Sequence, residues 1–181
     1  NHAQGVARAV TTRGLKATII MPEDTPATKI EGTKAYGADV VTYDRYTESR
    51  EEIGEALSQK YNANLIKPYD DVRVIAGQGT VGLEIARQVA VMGVVPDAMI
   101  CCCGGGGLIA GSSIALHAHF PETKIWCAEP EFYDDTKRSL ETGMIERAQT
   151  DKSSICDAIV TPEPGQLTFP VNRQHLSGGA V

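Results

Sequence analysis

The chain has 181 residues, enough for one substantial hydrophobic core or two small ones, and its 42% hydrophobic and 22% charged residues are ordinary for a globular protein. The net charge of −6 argues against nucleic-acid binding, which needs a positive surface. No apolar run approaches the roughly 20 residues of a transmembrane helix, and no signal peptide is recognisable. We therefore expect a protein that binds neither nucleic acid nor membrane.

Residues 1–70 alternate between helical and extended patterns. Short runs rich in β-branched residues predict strands, and longer segments that begin at capping residues predict helices. The predicted helices cover residues 2–13, about 25–37 and 47–61, and the predicted strands cover residues 17–21, 38–43 and 64–67.

Residues 71–160 continue this alternation. A helical segment begins at Val72, is interrupted by Gly77-Gln78-Gly79, and resumes over residues 80–92. Further helices are predicted at 108–119 and 134–142, and strands at 98–103, 124–128 and, more weakly, 155–160. The tail, residues 161–181, is rich in Pro and Gly and is predicted to be mostly loop.

The alternation of strands and helices predicts an α/β protein with two lobes, each with a parallel sheet and flanking helices. Residues 1–70 would form a small lobe of βαβ units and residues 71–181 part of a larger lobe. The chain begins without methionine and both of its ends look interrupted, so we expect an incomplete portion of a longer protein.

Four consecutive glycines, Gly104–Gly107, stand between a predicted strand and a predicted helix. Glycine loses much conformational entropy on folding, so four together need a reason. At the start of a helix, a glycine loop lets backbone N–H groups approach a phosphate, with help from the helix dipole. The alternative is a tight turn without a ligand. No Gly-Lys-Ser/Thr follows, so the loop is not a Walker motif.

The five cysteines do not form the pattern of a disulfide framework or a structural zinc site, because three are consecutive and no C-x-x-C pair exists. Cys101–Cys103 are predicted to lie in a strand buried on both faces, where thiols behave as small apolar residues. Thiols inside strands predict a reducing, cytoplasmic location.

The remaining aromatic and imidazole side chains are interpreted as structural. His117 and His119, two apart on a predicted helix, are expected at the surface or rim. His175 falls in the tail, and Trp126, in a predicted strand, is expected in the core.

Several motifs together resemble the serine/threonine dehydratases and serine racemases, pyridoxal-phosphate (PLP) enzymes of fold type II, the tryptophan synthase β-like fold. The resemblance covers nearly the whole chain, in family order. The matching motifs are Asn1-His2-Ala3-Gln4-Gly5, Pro68-Tyr69-Asp70-Asp71, Val74-Ile75-Ala76-Gly77-Gln78-Gly79-Thr80, Gly104–Gly107 with Leu108-Ile109-Ala110-Gly111, and Ala128-Glu129-Pro130.

This resemblance implies roles for individual residues. Asn1 would hydrogen-bond the phenolic oxygen of PLP, although an asparagine there could simply cap a helix. Gly104, Gly105, Gly106 and Gly107, with the N–H of Leu108, would hold the phosphate.

The resemblance also implies a divalent cation site, present in part of the family. Glu129, Asp135 and the carbonyl group of Tyr133 would supply the oxygen ligands that Mg²⁺ or Ca²⁺ prefers. The alternative interpretation of the two acids is a favourable interaction with a helix N-terminus.

The chain departs from the family at the catalytic positions. The Schiff-base lysine and the serine on the opposite face of the substrate would both precede Asn1, and none of the lysines present has a matching context. No catalytic residue is therefore assigned within this chain.

Taken as a whole, the resemblance implies the central portion of a threonine/serine dehydratase, a lyase that converts L-threonine or L-serine to a 2-oxo acid and ammonia, and that is expected to be a homo-oligomer. Two alternatives stay open, a serine racemase of the same family and an inactive fragment that retains only phosphate or PLP binding. A nucleotide-binding domain, with Glu122 or Glu129 as its ribose-binding acid, is a weaker third.

Overall fold

A computed structural model describes all residues, 1–181, and divides into two compact units, Asn1–Ile66 and Lys67–Val181. Both units are built from parallel strands and helices, as the sequence predicts for an α/β protein. None of the helices combines the length and the apolar character needed to cross a bilayer.

The first unit contains a two-stranded parallel sheet with three helices. Its strands pair in register from Thr18 opposite Asp39 to Pro22 opposite Tyr43. Small and β-branched side chains form its core, with Ala7 of the first helix packed on the sheet. The elements are α1 (His2–Thr11), β1 (Thr18–Pro22), α2 (Ala27–Ala35), β2 (Asp39–Tyr43) and α3 (Arg50–Tyr61).

Two helices of this unit begin later than the sequence predicts. Pro26 occupies the N-cap of α2, and Ser49 caps α3 by accepting a hydrogen bond from the N–H of Glu52. The predicted strand at 64–67 is wrong, because these residues pair with neither β1 nor β2. An apolar run alone does not make a strand when no neighbouring strand takes its backbone hydrogen bonds.

The second unit contains four helices and a three-stranded parallel sheet whose strands lie side by side in chain order. Its elements are α4 (Val72–Val91), β3 (Ala98–Cys102), α5 (Gly107–His117), β4 (Lys124–Ala128), α6 (Asp135–Thr142), α7 (Thr168–His175) and β5 (Gly178–Ala180).

The core of the second unit lies on one face of this sheet, where Ile109 and Leu116 of α5 pack against Ile125 and Cys127. The opposite face is open, with Ile100 70% exposed and Trp126 only half-buried. The prediction that the cysteine strand is buried on both faces is therefore wrong, as is the core assignment of Trp126. Exposed and half-buried residues alternate along β3, so only one face of the strand is covered.

Three further predictions for this unit are wrong. Residues 155–160 form turns rather than a strand, and the tail forms α7 and β5. The strand β5 consists almost entirely of glycine, so its sequence has no side-chain pattern that predicts a strand. It forms because β4 offers a free edge for pairing. α4 runs unbroken through Gly77-Gln78-Gly79, capped at its start by Asp71, which accepts from the N–H of Arg73.

Two of the glycines of α4, Gly79 and Gly82, are explained by its contact with α5, the most extensive contact between helices in the unit. A Cβ added to Gly82 would overlap the carbonyl group of Ser112, and one added to Gly111 would overlap the carbonyl oxygen of Ile75. The two backbones therefore touch, which fixes the position of α5 and of the loop that precedes it.

We predict that Gly82→Ala lowers the free energy of unfolding by about 1–3 kcal/mol, because the new methyl group forces the two helices apart. Gly77→Ala is the matched control on the same helix, since a Cβ there meets nothing within 4 Å. It should stabilise the helix by about 0.5–1 kcal/mol. Urea unfolding of both variants measures this, and equal destabilisation by both would contradict the packing.

Candidate functional site

The glycine loop joins the carboxyl end of β3 to the start of α5, the edge at which parallel sheets bind ligands. Cys103 directly follows β3, and its N–H donates to the carbonyl oxygen of Ala128 at 2.9 Å. Gly106 has φ +87° and serves as the N-cap of α5. This left-handed conformation suits glycine and turns the chain into the helix.

The backbone N–H groups from Gly104 to Leu108 donate no hydrogen bond to any group of the chain. Gly105, Gly106 and Gly107 are nevertheless buried. Buried N–H groups without partners are rare in folded proteins, so this run points to an acceptor that is not part of the chain. Together with the positive end of the α5 dipole, it forms a site for an anion.

The surrounding chain packs so closely on the loop that none of the four glycines has free space for a Cβ. A Cβ at Gly105 would overlap the ring of Tyr69, and one at Gly106 would lie 2.5 Å from Asn172 Nδ2. A Cβ at Gly104 or Gly107 would lie 3.2 Å or 3.1 Å from its nearest neighbour. The four glycines are thus required by close approach of the surrounding chain, a stronger reason than a simple tight turn.

Helix α7, which sequence reasoning missed, contributes two side chains to this loop. Thr168 Oγ1 donates to the carbonyl oxygen of Gly105 at 2.6 Å, and Asn172 Nδ2 lies 3.4 Å from that of Gly106. Both residues are fully buried. The available signal was Pro170 two residues after Thr168, since proline is favoured in the first turn of a helix.

The segment that precedes α4 also contacts the loop. Tyr69 lies against Gly105 and Gly107, and Asp70 Oδ1 accepts from the N–H of Leu167 at 2.6 Å, at the start of α7. Asp70 has φ +56°, a conformation that non-glycine residues adopt only when their surroundings hold it. The Pro-Tyr-Asp-Asp motif thus links the glycine loop to α7.

Asn1 lies in the first unit, at the N-cap of α1 and exposed. Its carbonyl oxygen accepts from the N–H of Gly5 at 2.9 Å, but its side chain makes no capping hydrogen bond. The capping interpretation therefore does not account for this side chain, and its role in cofactor binding stays a prediction.

The predicted cation ligands lie at the start of α6. Glu129 uses both carboxylate oxygens to accept from the N–H groups of Thr136 and Lys137, at 2.9 Å and 2.8 Å. Asp135 is 1% exposed, and its Oδ2 has no hydrogen-bond partner. The Tyr133 hydroxyl donates to the carbonyl oxygen of Lys152. No group of three or more His, Cys, Asp or Glu side chains suited to a metal occurs in the chain.

The electrostatics of this acid pair are set by burial. Desolvation and the neighbouring charge of Glu129 raise the pKa of Asp135 to about 7, and burial also raises the pKa of Glu129. Cys103, at the end of β3, lies 3.4 Å from Thr136 Oγ1, so the acid pair is close to the start of the glycine loop.

The thiols of Cys101 and Cys127 and the imidazole pair His117 and His175 are set by their surroundings in the second unit. Burial raises the pKa of Cys101 and that of Cys127 to about 12, which keeps both thiols protonated. His117 is half-buried and His119 is exposed, which agrees with the predicted surface or rim position. His117 Nδ1 lies 3.0 Å from Nδ1 of His175, and its Nε2 donates to the carbonyl oxygen of Thr123. His175, in turn, belongs to α7 rather than to a loop.

Comparison with known proteins agrees with this geometry. The chain is 41% identical to L-threo-3-hydroxyaspartate ammonia-lyase of Saccharomyces cerevisiae, over 97% of this chain and 52% of that protein. It is similar to the crystal structure of a threonine deaminase from T.th., with a TM-score of 0.88, 43% identity, and coverage of 98% of this chain and 56% of that one. It is also similar to the structure of maize serine racemase, with a TM-score of 0.89, 36% identity, and coverage of 98% of this chain and 52% of that one.

The chain thus spans about half the length of the relatives it matches. Over its whole length, residues 1–181, it matches the family described as pyridoxal-phosphate dependent enzyme. Its fold is that of the fold type II members of this family. The chain therefore belongs to the pyridoxal-phosphate dependent enzymes, among the relatives named as serine racemases and as threonine and hydroxyaspartate ammonia-lyases.

Proposed function

We propose that the protein is a PLP-dependent ammonia-lyase that acts on β-hydroxy amino acids, and that Gly104–Gly107 and the N–H of Leu108 bind the phosphate of PLP. The observation that carries this proposal is the run of buried N–H groups without partners at the N-terminus of α5. A phosphate offers acceptors and a double negative charge to that run.

The residues of the loop fit such a group. The four glycines carry no side chains of their own, and the unpaired N–H groups match the chemistry of phosphate oxygens. PLP, when bound, supplies an electron sink that stabilises negative charge at the α-carbon of an amino acid. The chain's own part is to bind and orient the phosphate, with Asn1 proposed to bind the phenolic oxygen.

The proposed substrates are L-threonine, L-serine and L-threo-3-hydroxyaspartate. Relatives named for ammonia-lyase activity on hydroxyaspartate and on threonine are 41% and 37% identical to this chain. Serine racemase is the second candidate, because relatives of that name are also 37% identical. Both candidates use the same phosphate site and differ in the fate of the α-carbon.

We predict that the full-length protein with PLP forms a 2-oxo acid and ammonia from at least one of the three substrates, measured by coupled reduction of the 2-oxo acid. Chiral chromatography of L-serine reactions tests for D-serine and so for the racemase. The absence of both products, together with the absence of PLP absorbance, would contradict the proposal.

We predict that Gly105→Ala weakens PLP binding at least about tenfold, because the methyl group displaces the loop from Tyr69 and hydrogen bonds to a charged group contribute about 1.5–3 kcal/mol each. The dissociation constant is measured by titration with PLP. Gly77→Ala, which meets no neighbouring atom, is the control. Unchanged affinity in a folded Gly105→Ala variant would contradict the phosphate site.

We further propose that Asp135, Glu129 and the carbonyl group of Tyr133 bind Mg²⁺ or Ca²⁺. The buried Oδ2 of Asp135, which has no partner, supports this, since a hard cation would satisfy it. Ligands must be deprotonated to bind, so affinity should rise as the pH passes the pKa of Asp135.

The raised pKa of Asp135 predicts a pH-dependent stability in the absence of metal. Between about pH 4 and pH 7 the unfolded state is ionised at this group while the folded state holds its proton, so the free energy of unfolding falls as the pH rises, and it levels off above about 7. Asp135→Asn should flatten this fall, measured by urea unfolding from pH 4 to pH 8. Glu141→Gln, an exposed change on the same helix, should not.

If the proposed cation site exists, 5 mM Mg²⁺ or Ca²⁺ should stabilise the unaltered protein at pH 8 far more than at pH 5, and should leave Asp135→Asn unaffected. Equal stabilisation of both proteins at pH 8 would contradict the site.

A further inference from the structure

We propose that Thr168 and Asn172 of α7 are positioning residues of the phosphate site, which hold the glycine loop in the orientation that binds an anion. This inference rests on the proposed function and adds two residues to it. Neither residue is recognisable from the sequence, which predicts a loop for the tail.

The geometry of the peptide group couples each carbonyl group of the loop to the N–H of the next residue. A trans peptide is planar, so the carbonyl group of one residue and the N–H of the next point in opposite directions. Whatever holds the carbonyl oxygen of Gly105 therefore sets the direction of the Gly106 N–H. Whatever holds that of Gly106 sets the direction of the Gly107 N–H.

Side chains of α7 hold both of these carbonyl groups. Gly105 accepts from Thr168 Oγ1 at 2.6 Å and from the N–H of Gly165 at 3.2 Å. Gly106 accepts from Asn172 Nδ2 at 3.4 Å, in addition to the helical bond from Ala110 at 3.0 Å. The carbonyl groups are thus satisfied on the α7 side, while the N–H groups are left for a ligand.

A run of glycines needs such support, because without side chains its backbone can rotate freely. Thr168 and Asn172 are both 0% exposed, so their side chains are held by packing. Asp70 anchors the start of α7 by accepting from the N–H groups of Leu167 and Thr168, at 2.6 Å and 3.4 Å. The support is therefore rigid and starts from the same segment that places Tyr69 on the loop.

A purely structural role for Thr168 makes a different prediction from a positioning role. If the hydroxyl only stabilises the fold, its loss lowers stability without changing how the protein distinguishes PLP from pyridoxal, which lacks the phosphate. If the hydroxyl orients the loop, its loss weakens the contribution of the phosphate specifically.

The test compares dissociation constants for PLP and pyridoxal in the full-length protein and its variants. Thr168→Val, which keeps the shape and removes the hydrogen bond, should lower the preference for PLP over pyridoxal about five- to tenfold. Thr168→Ser should restore the preference to within about twofold. Ser113→Ala removes a buried hydroxyl from α5 that bonds only Ala110, and should leave the preference unchanged.

An unchanged preference in a folded Thr168→Val variant would overturn the inference while leaving the proposed function intact. An unaltered protein with no preference for PLP would instead overturn both. If Thr168→Val does not fold, Asn172→Ser provides the same comparison, with a lowered preference in support and an unchanged one against.

Discussion

The structure depends on the orientation of one short stretch of backbone, the loop from Gly104 to Gly107. The carbonyl groups of Gly105 and Gly106 are bonded to α7, and the N–H groups of the loop, three of whose residues are buried, have no partner in the chain. Such an arrangement is costly in an isolated protein, because unpaired buried donors lose their bonds to water. It becomes favourable when an anion accepts hydrogen bonds from these N–H groups. The surrounding elements hold the loop in this orientation.

Those elements form a closed set of contacts around the loop. Backbone contact between α4 and α5, made by Gly82 and Gly111, fixes the helix that the loop begins. Asp70, just before α4, accepts a hydrogen bond at the start of α7, and Thr168 of α7 donates one to the loop. Glycines are thus used twice, first to bring two helices together and then to let Tyr69 and α7 pack against the loop. A substitution at any of these contacts is expected to weaken binding at the proposed phosphate site.

Much of this could be predicted from the sequence, and the failures have physical causes. The strand at 124–128 is predicted to the residue, and the glycine loop is recognisable because four consecutive glycines between a strand and a helix are costly in conformational entropy. α7 and β5 escape prediction, since their Pro and Gly residues are typical of loops and only pairing with β4 and contact with the loop order them. Gly77-Gln78-Gly79 resembles a break in α4 because the helix-to-helix contact that requires Gly79 is invisible in a single sequence.

The most direct test of the central claim is to observe the amides themselves. In full-length protein labelled with ¹⁵N-glycine and ¹⁵N-leucine, addition of PLP should shift the proton resonances of Gly105, Gly106, Gly107 and Leu108 downfield, as expected for N–H groups that gain a charged acceptor. Their exchange with solvent should slow at the same time. Binding of PLP that leaves these resonances in place, and moves others instead, would contradict the assignment of the loop as the phosphate site.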